Sequence, residues 1–231
     1  MSLNSLKKDL ERKSSPSKAK LLSGFFKTGK GEYGEGDVFI GVKVPEQRAI
    51  AKKYVHLGLS DLQKLISSKI HEHRLTALLI LIEKYKKNPF ERKKIVDFYL
   101  GNTSHINNWD LVDLSSHKIL GDYLLDKDVS VLYRLAKSSN IWERRIAIIS
   151  TAAFIAQKRF EHTLKISEML LKDEHDLMHK AAGWMLREVG KRNLEAELKF
   201  LDRNAPDMPR TMLRYAIEKF NEAQRKKYLG K

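Results

Sequence analysis

"HEHRLTALLILIEKYKKNP", residues 71–89, opens on a polar and basic cluster, turns apolar within one helical turn and stops at Asn88-Pro89. A proline lacks the N–H a helix interior needs, and the residue before it is pushed out of the helical region, so the boundary is firm. The same pattern recurs in "NNWDLVDLSS", "NIWERRIAIIS", "HDLMHKAAGWML" and "APDMPRTMLRYAI". Candidate first helices therefore begin near residues 71, 108, 141, 175 and 209, at steps of 37, 33, 34 and 34. A helix-pair period in the thirties predicts an all-α fold: an α-solenoid of stacked antiparallel pairs, HEAT-like or armadillo-like. Such stacks curve, and their concave side is the expected binding surface, here a basic one.

Upstream, "PEQRAIAKKYVHLG" places Pro45 at a first helical position and closes near Gly58, and Ser60 is the expected cap of the next helix, "SDLQKLISSKI". No period-2 alternation interrupts this region. The exception is "FFKTGKGEYGEGDVFIGVKV", residues 25–44, where glycines at 29, 31, 34 and 36 oppose a regular helix. It reads as a loop after an N-terminal helical pair. The expected organisation is one domain over 1–231, with 1–44 as cap and loop and 45–231 as repeats.

The 231 residues carry 44 Lys and Arg against 29 Asp and Glu, a formal charge of +15. A polyanion is the first partner such a charge implies, nucleic acid before an anionic membrane. There are no cysteines, which excludes disulfides, thiolate metal sites and cysteine nucleophiles. The first residues, "MSLNSLKKDLERKSS", mix charge into every turn and offer no apolar core for a secretory signal. The longest apolar run, "LTALLILI", is too short to span a bilayer, so no membrane partner and a cytoplasmic location are expected.

The glycine loop has the order Lys-Thr-Gly-Lys-Gly rather than that of a phosphate loop, and Glu32, Glu35 and Asp37 would repel a phosphate. A structural loop is expected. His175 and His179 stand at i and i+4, the spacing of a helical zinc site, with Asp176 where a glutamate base would be. Aspartate is one methylene short and no third ligand is evident, so no metal is expected and the pair reads as a solvated or DNA-facing edge.

Each of the three tryptophans sits on the first helix of a repeat with an ionic residue one turn on: Trp109 with Asp113, Trp142 with Arg145, Trp184 with Arg187. On the helix over 175–192, Lys180, Trp184, Arg187 and Lys191 line one stripe, while Leu177, Ala181, Met185 and Val189 make a core stripe. The cationic stripe fits a nucleic-acid surface, with Lys and Arg on phosphates and the indole against sugar or base. It fits equally a tryptophan packed between helices with snorkelling charges. Asp110, in a helix's first turn behind Asn107 and Asn108, reads as a capping residue, whereas Asp113 lies deeper and shares a face with Trp109.

"NNWDLVD", "NIWERRIAI" and "KAAGWMLREVGK", in this order, resemble the HEAT-like-repeat DNA glycosylases of alkylation repair, the AlkD-like family. "FIGVKVPEQR" at 39–48 resembles that family's entry into its repeats, and the likeness runs over about residues 20–220. The resemblance implies excision of N3- and N7-alkylated purines from duplex DNA without flipping the base into a pocket; that chemistry needs no cofactor, and a monomer suffices for a concave DNA-binding surface. By motif position it implies that Trp109, Trp184 and Asp113 contact the deoxyribose and that Arg145 lies beside the lesion and backbone. Lys180, Arg187, Lys191 and Arg144 are the further DNA-binding candidates. Two other functions fit the composition: a non-catalytic DNA- or RNA-binding solenoid, and a protein-binding HEAT scaffold. Activity on alkylated DNA separates the first from catalysis; failure to bind DNA at low salt would indicate the second.

Overall fold

The computed structural model describes residues 1–230 and is nearly all helical. The first helices are α1 (Leu3–Glu11), α2 (Pro16–Phe25), α3 (Val44–Lys53), α4 (Leu59–Ile66), α5 (His71–Lys87), α6 (Arg92–Gly101) and α7 (Trp109–Ser116). They continue with α8 (Ser130–Leu135), α9 (Ile141–Ser150), α10 (Ala152–Ala156), α11 (Glu161–Met169) and α12 (Asp176–Gly190). The last are α13 (Leu194–Asn204), α14 (Arg210–Ala216) and α15 (Glu222–Leu229). Backbone contacts divide the chain into two compact units, Met1–Ser115 and Ser116 onward. No helix among the described residues is long and apolar enough to cross a membrane.

The helix starts follow local chemistry. Asn108 Oδ1 accepts from the Trp109 N–H at 2.8 Å, Asn140 Oδ1 from Trp142 at 2.9 Å, and His175 Nδ1 from Leu177 at 3.2 Å. These bonds satisfy amides that have no intrahelical partner. Ser60 is not a cap: α4 starts at Leu59 behind Gly58, which puts Ser60 inside the first turn. The helix entered at Pro45 stops at Lys53, before the turn that leads to Gly58.

In the first unit α5 is the central element, buried from His71 through Ile82 and again at Tyr85. This explains why its sequence is apolar almost all round. The segment between α2 and α3 is pinned to it by the Val38 N–H on Lys69 O (3.1 Å) and the His71 N–H on Val38 O (2.9 Å). Gly41, at φ +83°, lies so close to the start of α2 that a Cβ would sit 2.2 Å from Ser15 O. Only glycine serves there.

In the second unit α12 is central. Its buried face is Met178, Ala181, Ala182, Met185, Leu186 and Val189, so Leu177 is corrected from the core stripe to a half-exposed position. The face is turned because α14 approaches closely: a Cβ on Gly183 would lie 2.4 Å from Met212 O. Glu197 of α13 is 1 % exposed and sits against Gly190. Burial pushes its carboxyl up to about 8, against a smaller lowering by Arg187. The folded state therefore holds a proton that the unfolded chain releases near its ordinary value, and stability falls as pH rises between the two. Glu197→Gln, which keeps shape without the charge, is expected to raise Tm by a few degrees at pH 8 and much less at pH 5. Thermal unfolding at the two pH values checks this.

Candidate active site

Helix α7 carries the centre of the site. Its first residue, Trp109, and Asp113 one turn later lie on one face, and both are half-exposed. Between them Leu111 and Val112 are fully buried and anchor the helix. Asp113 is close enough to the buried Tyr99 hydroxyl to help raise it, after the larger effect of burial; Tyr99 bonds to Ser115 Oγ at 3.1 Å. Past Ser116 the helix widens into a π turn, His117–Gly121, a feature frequent near functional sites.

The glycine-rich segment folds against Trp109. Phe26 stacks on the indole at 5.0 Å and 22°, Phe25 meets it edge-on at 5.7 Å, and the indole N–H donates to Tyr33 Oη at 3.3 Å. The acids of the segment have structural work, as a structural loop requires. Glu32 accepts from the Gly29 N–H at 2.9 Å and Glu35 from the Gly31 N–H at 2.8 Å.

Asp37 turns inward. Its Oδ2 lies 2.6 Å from Arg74 Nη2 and 3.0 Å from His71 Nδ1, while His71 Nε2 lies 2.8 Å from Asp110 Oδ2. Burial opposes charge on Asp37, but the His71 bond and the Arg74 charge outweigh it and hold the carboxyl below the usual range. Asp110 is thus more than a first-turn helix acid; it is a buried member of a four-residue polar network. Beside it Glu72, 1 % exposed, accepts from the amides of Ile40, Gly41 and Val42 at 3.1, 2.8 and 3.3 Å. A cavity of about 280 Å³ adjoins this cluster, walled by Leu21, Leu22, Phe25, Phe26 and Phe39 above His71 and Asp110.

In the second unit the tryptophans differ. Trp142 is a core residue, 7 % exposed. Trp184 is half-exposed and borders a hollow of about 250 Å³ with His117, Ile149, Ala152, Ile155 and Arg192. Arg145 is buried and donates to Leu177 O at 2.7 Å. Arg144 holds Asp173 at 2.6 Å and the carbonyls of Ser138 and Ser139 at 3.0 Å. On the cationic stripe Lys180 pairs with Asp176 (2.7 Å), Arg187 with Glu218, and Lys191 with Glu188 (2.6 Å). Each nominated cation is thus already engaged. His175 caps α12, and His179 Nε2 meets Asp173 O, so both have structural partners.

Cations without acids lie elsewhere. From Arg12 to Gly31 the chain has six Lys and Arg and no Asp or Glu. Among the described residues Lys18, Lys20, Lys27 and Lys30 form no ion pair. The same segment exposes Leu21 (73 %) and Phe25 (63 %), one helical turn apart. The absence of acids over these positions is legible in the sequence.

A sequence description of the family named DNA alkylation repair enzyme matches residues 6–220. Among solved structures, one titled "Predicted DNA alkylation repair enzyme from Enterococcus faecalis" is similar in fold. Its TM-score is 0.70 at 18 % identity, covering 91 % of this chain and 98 % of that one. No curated protein sequence matches. The fold and the family match together define the class, a helical DNA-repair protein. This chain belongs to the DNA alkylation repair enzyme family.

Proposed function

We propose that this protein is a monofunctional DNA glycosylase that hydrolyses the N-glycosidic bond of N3- and N7-alkylated purines in duplex DNA. The observation that carries the reading is the pairing of Trp109 and Asp113, both half-exposed, on one face of α7, while Asp110 on the same helix is buried. Family membership supplies DNA alkylation damage as the context.

An alkylated purine of this kind already carries positive charge. When the bond from its nitrogen to C1′ breaks, the base takes the electron pair and leaves neutral, with little need of an acid. The cost lies in the oxocarbenium character left on the sugar, which a fixed carboxylate stabilises as it develops. Asp113 supplies that charge. The Trp109 face adds quadrupole attraction for the same cation. Asp113 then orients the water that adds to C1′ and takes up its proton. Trp184 is assigned sugar contact by motif position, whereas Arg145, buried and bonded to Leu177 O, is given no DNA contact. No lysine is assigned as a Schiff-base nucleophile, so strand cleavage is not expected.

Release of free N7-methylguanine or N3-methyladenine from methylated duplex, with intact strands until alkali is added, is the expected result for the wild type. DNA binding without release would favour a non-catalytic module, which the unpaired lysines of residues 12–31 would also serve. Those lysines make a second expectation. Replacing Lys18, Lys20 and Lys27 by Gln should weaken binding to any duplex and lower the slope of log affinity against log salt by about 2–3. Binding isotherms across a salt series measure it; an unchanged slope would place the phosphate contacts elsewhere.

A further inference from the structure

The imidazole of His71 is 1 % exposed and has a carboxylate oxygen at each ring nitrogen. Asp37 comes from the glycine-rich segment and Asp110 from α7, next in sequence to Trp109. A neutral imidazole has one N–H and can donate to only one of them. The other contact would then set a buried lone pair against a carboxylate. Arg74 Nη2 lies 3.4 Å from Nδ1, farther than Asp37 Oδ2 at 3.0 Å, so the ring's closer partner there is the acid. The charged groups facing His71 are Asp37 from the segment, Asp110 from α7, and Arg74 with the amide-bound Glu72 from α5. With an imidazolium, Asp37, Asp110, Glu72, Arg74 and His71 carry one net negative charge; with a neutral ring the same set buries a second.

The same ring is part of an aromatic stack. Phe39 lies on His71 at 4.5 Å and 23°, Phe26 at 5.2 Å, and Phe26 stacks in turn on Trp109. His71 therefore reaches Trp109 by two routes: a hydrogen bond to the residue that follows it, and one intervening ring.

We propose that His71 is the positioning residue of this site: as an imidazolium it clamps the glycine-rich segment to the start of α7, and so sets the plane of Trp109 and the station of Asp113. The inference rests on the glycosylase reading for its catalytic consequence, but the clamp itself does not. Direction of titration agrees. Burial and the Arg74 charge oppose charge on His71, while the Asp110 charge and the bonds that the ring donates to both acids raise its affinity for the proton above the ordinary value. A raised histidine stabilises below its unfolded pKa, and that stabilisation is lost as pH rises through the folded one. The clamp is thus closed below the folded-state pKa of His71 and opens as pH rises through it.

The test uses full-length protein labelled with fluorotryptophan, the Trp109 resonance being assigned from Trp109→Phe, and titrated from about pH 6 to about pH 9. Histidine NMR follows His71 in the same samples. The expected result is a Trp109 transition coinciding with His71 deprotonation, above the ordinary histidine range. His71→Asn should remove that transition and slow single-turnover base release about 10- to 100-fold, with DNA affinity little changed. Wild-type release should fall with the same midpoint, and the variant's should not. A Trp109 signal indifferent to His71 titration, or a folded His71→Asn protein releasing base at the wild-type rate, overturns the proposal. If His71→Asn does not fold, coincidence or independence of the two wild-type titrations decides it. If the wild type releases no base, the glycosylase reading fails, and the clamp is still judged by the same coincidence.

Discussion

Asp113→Asn is expected to lower base release at least about 100-fold while leaving affinity for duplex DNA unchanged or higher. The substitution keeps shape and removes one charge. In the ground state that charge is a liability, since a carboxylate beside a phosphate backbone repels it. In the proposed mechanism it is the group that meets the developing sugar cation at the transition state. An interaction made only there shows in the rate and not in binding. The neighbouring Asp110→Asn is a useful contrast, because Asp110 is buried against His71 and its loss should show first in stability. Single-turnover release and fluorescence anisotropy, run on the same variant, give the two halves of the result.

Glu72→Ala should be the most damaging change to the fold, costing about 4 kcal/mol, with the first unit poorly folded as its outcome. Three consecutive amides, Ile40, Gly41 and Val42, donate to this one buried carboxylate. Without it they stay buried and have no acceptor, and water cannot replace it without opening the segment. Glu72→Gln retains one acceptor oxygen and should recover part of the loss. Denaturant midpoints order the three proteins, and hydrogen exchange at residues 40–42 locates the effect. Exchange there no faster in Glu72→Ala than in the wild type would contradict the account.

The all-helical class and five of the helix starts were legible because they rest on local signals. The expected starts near 71, 108, 141, 175 and 209 meet observed first residues His71, Trp109, Ile141, Asp176 and Arg210. Polar caps followed by apolar runs are read within a few residues, with no partner needed. The pairing of Trp109 with Asp113 was legible for the same reason, both being on one helix. What the sequence does not display is set by distant partners. His71 meets acids 34 and 39 residues away, and Glu72 binds amides 30 to 32 residues away. The polar start of "HEHRLTALLIL" is buried, which its residue types alone do not display. Leu177 was misplaced on the core face because the close approach of α14 at Gly183, which fixes the rotation of α12, leaves no periodic trace. The lysines and arginines of the 175–192 stripe read as open to a ligand, yet the acids that engage them come partly from the same helix and partly from Glu218.

The most direct test of the central claim is single-turnover release of N7-methylguanine from a defined duplex at saturating protein, with wild type and Asp113→Asn side by side. Release by the wild type, and loss of it in a variant that still binds the duplex, is the predicted result. Equal release by both would contradict the role of Asp113, and no release by either would contradict the glycosylase reading itself.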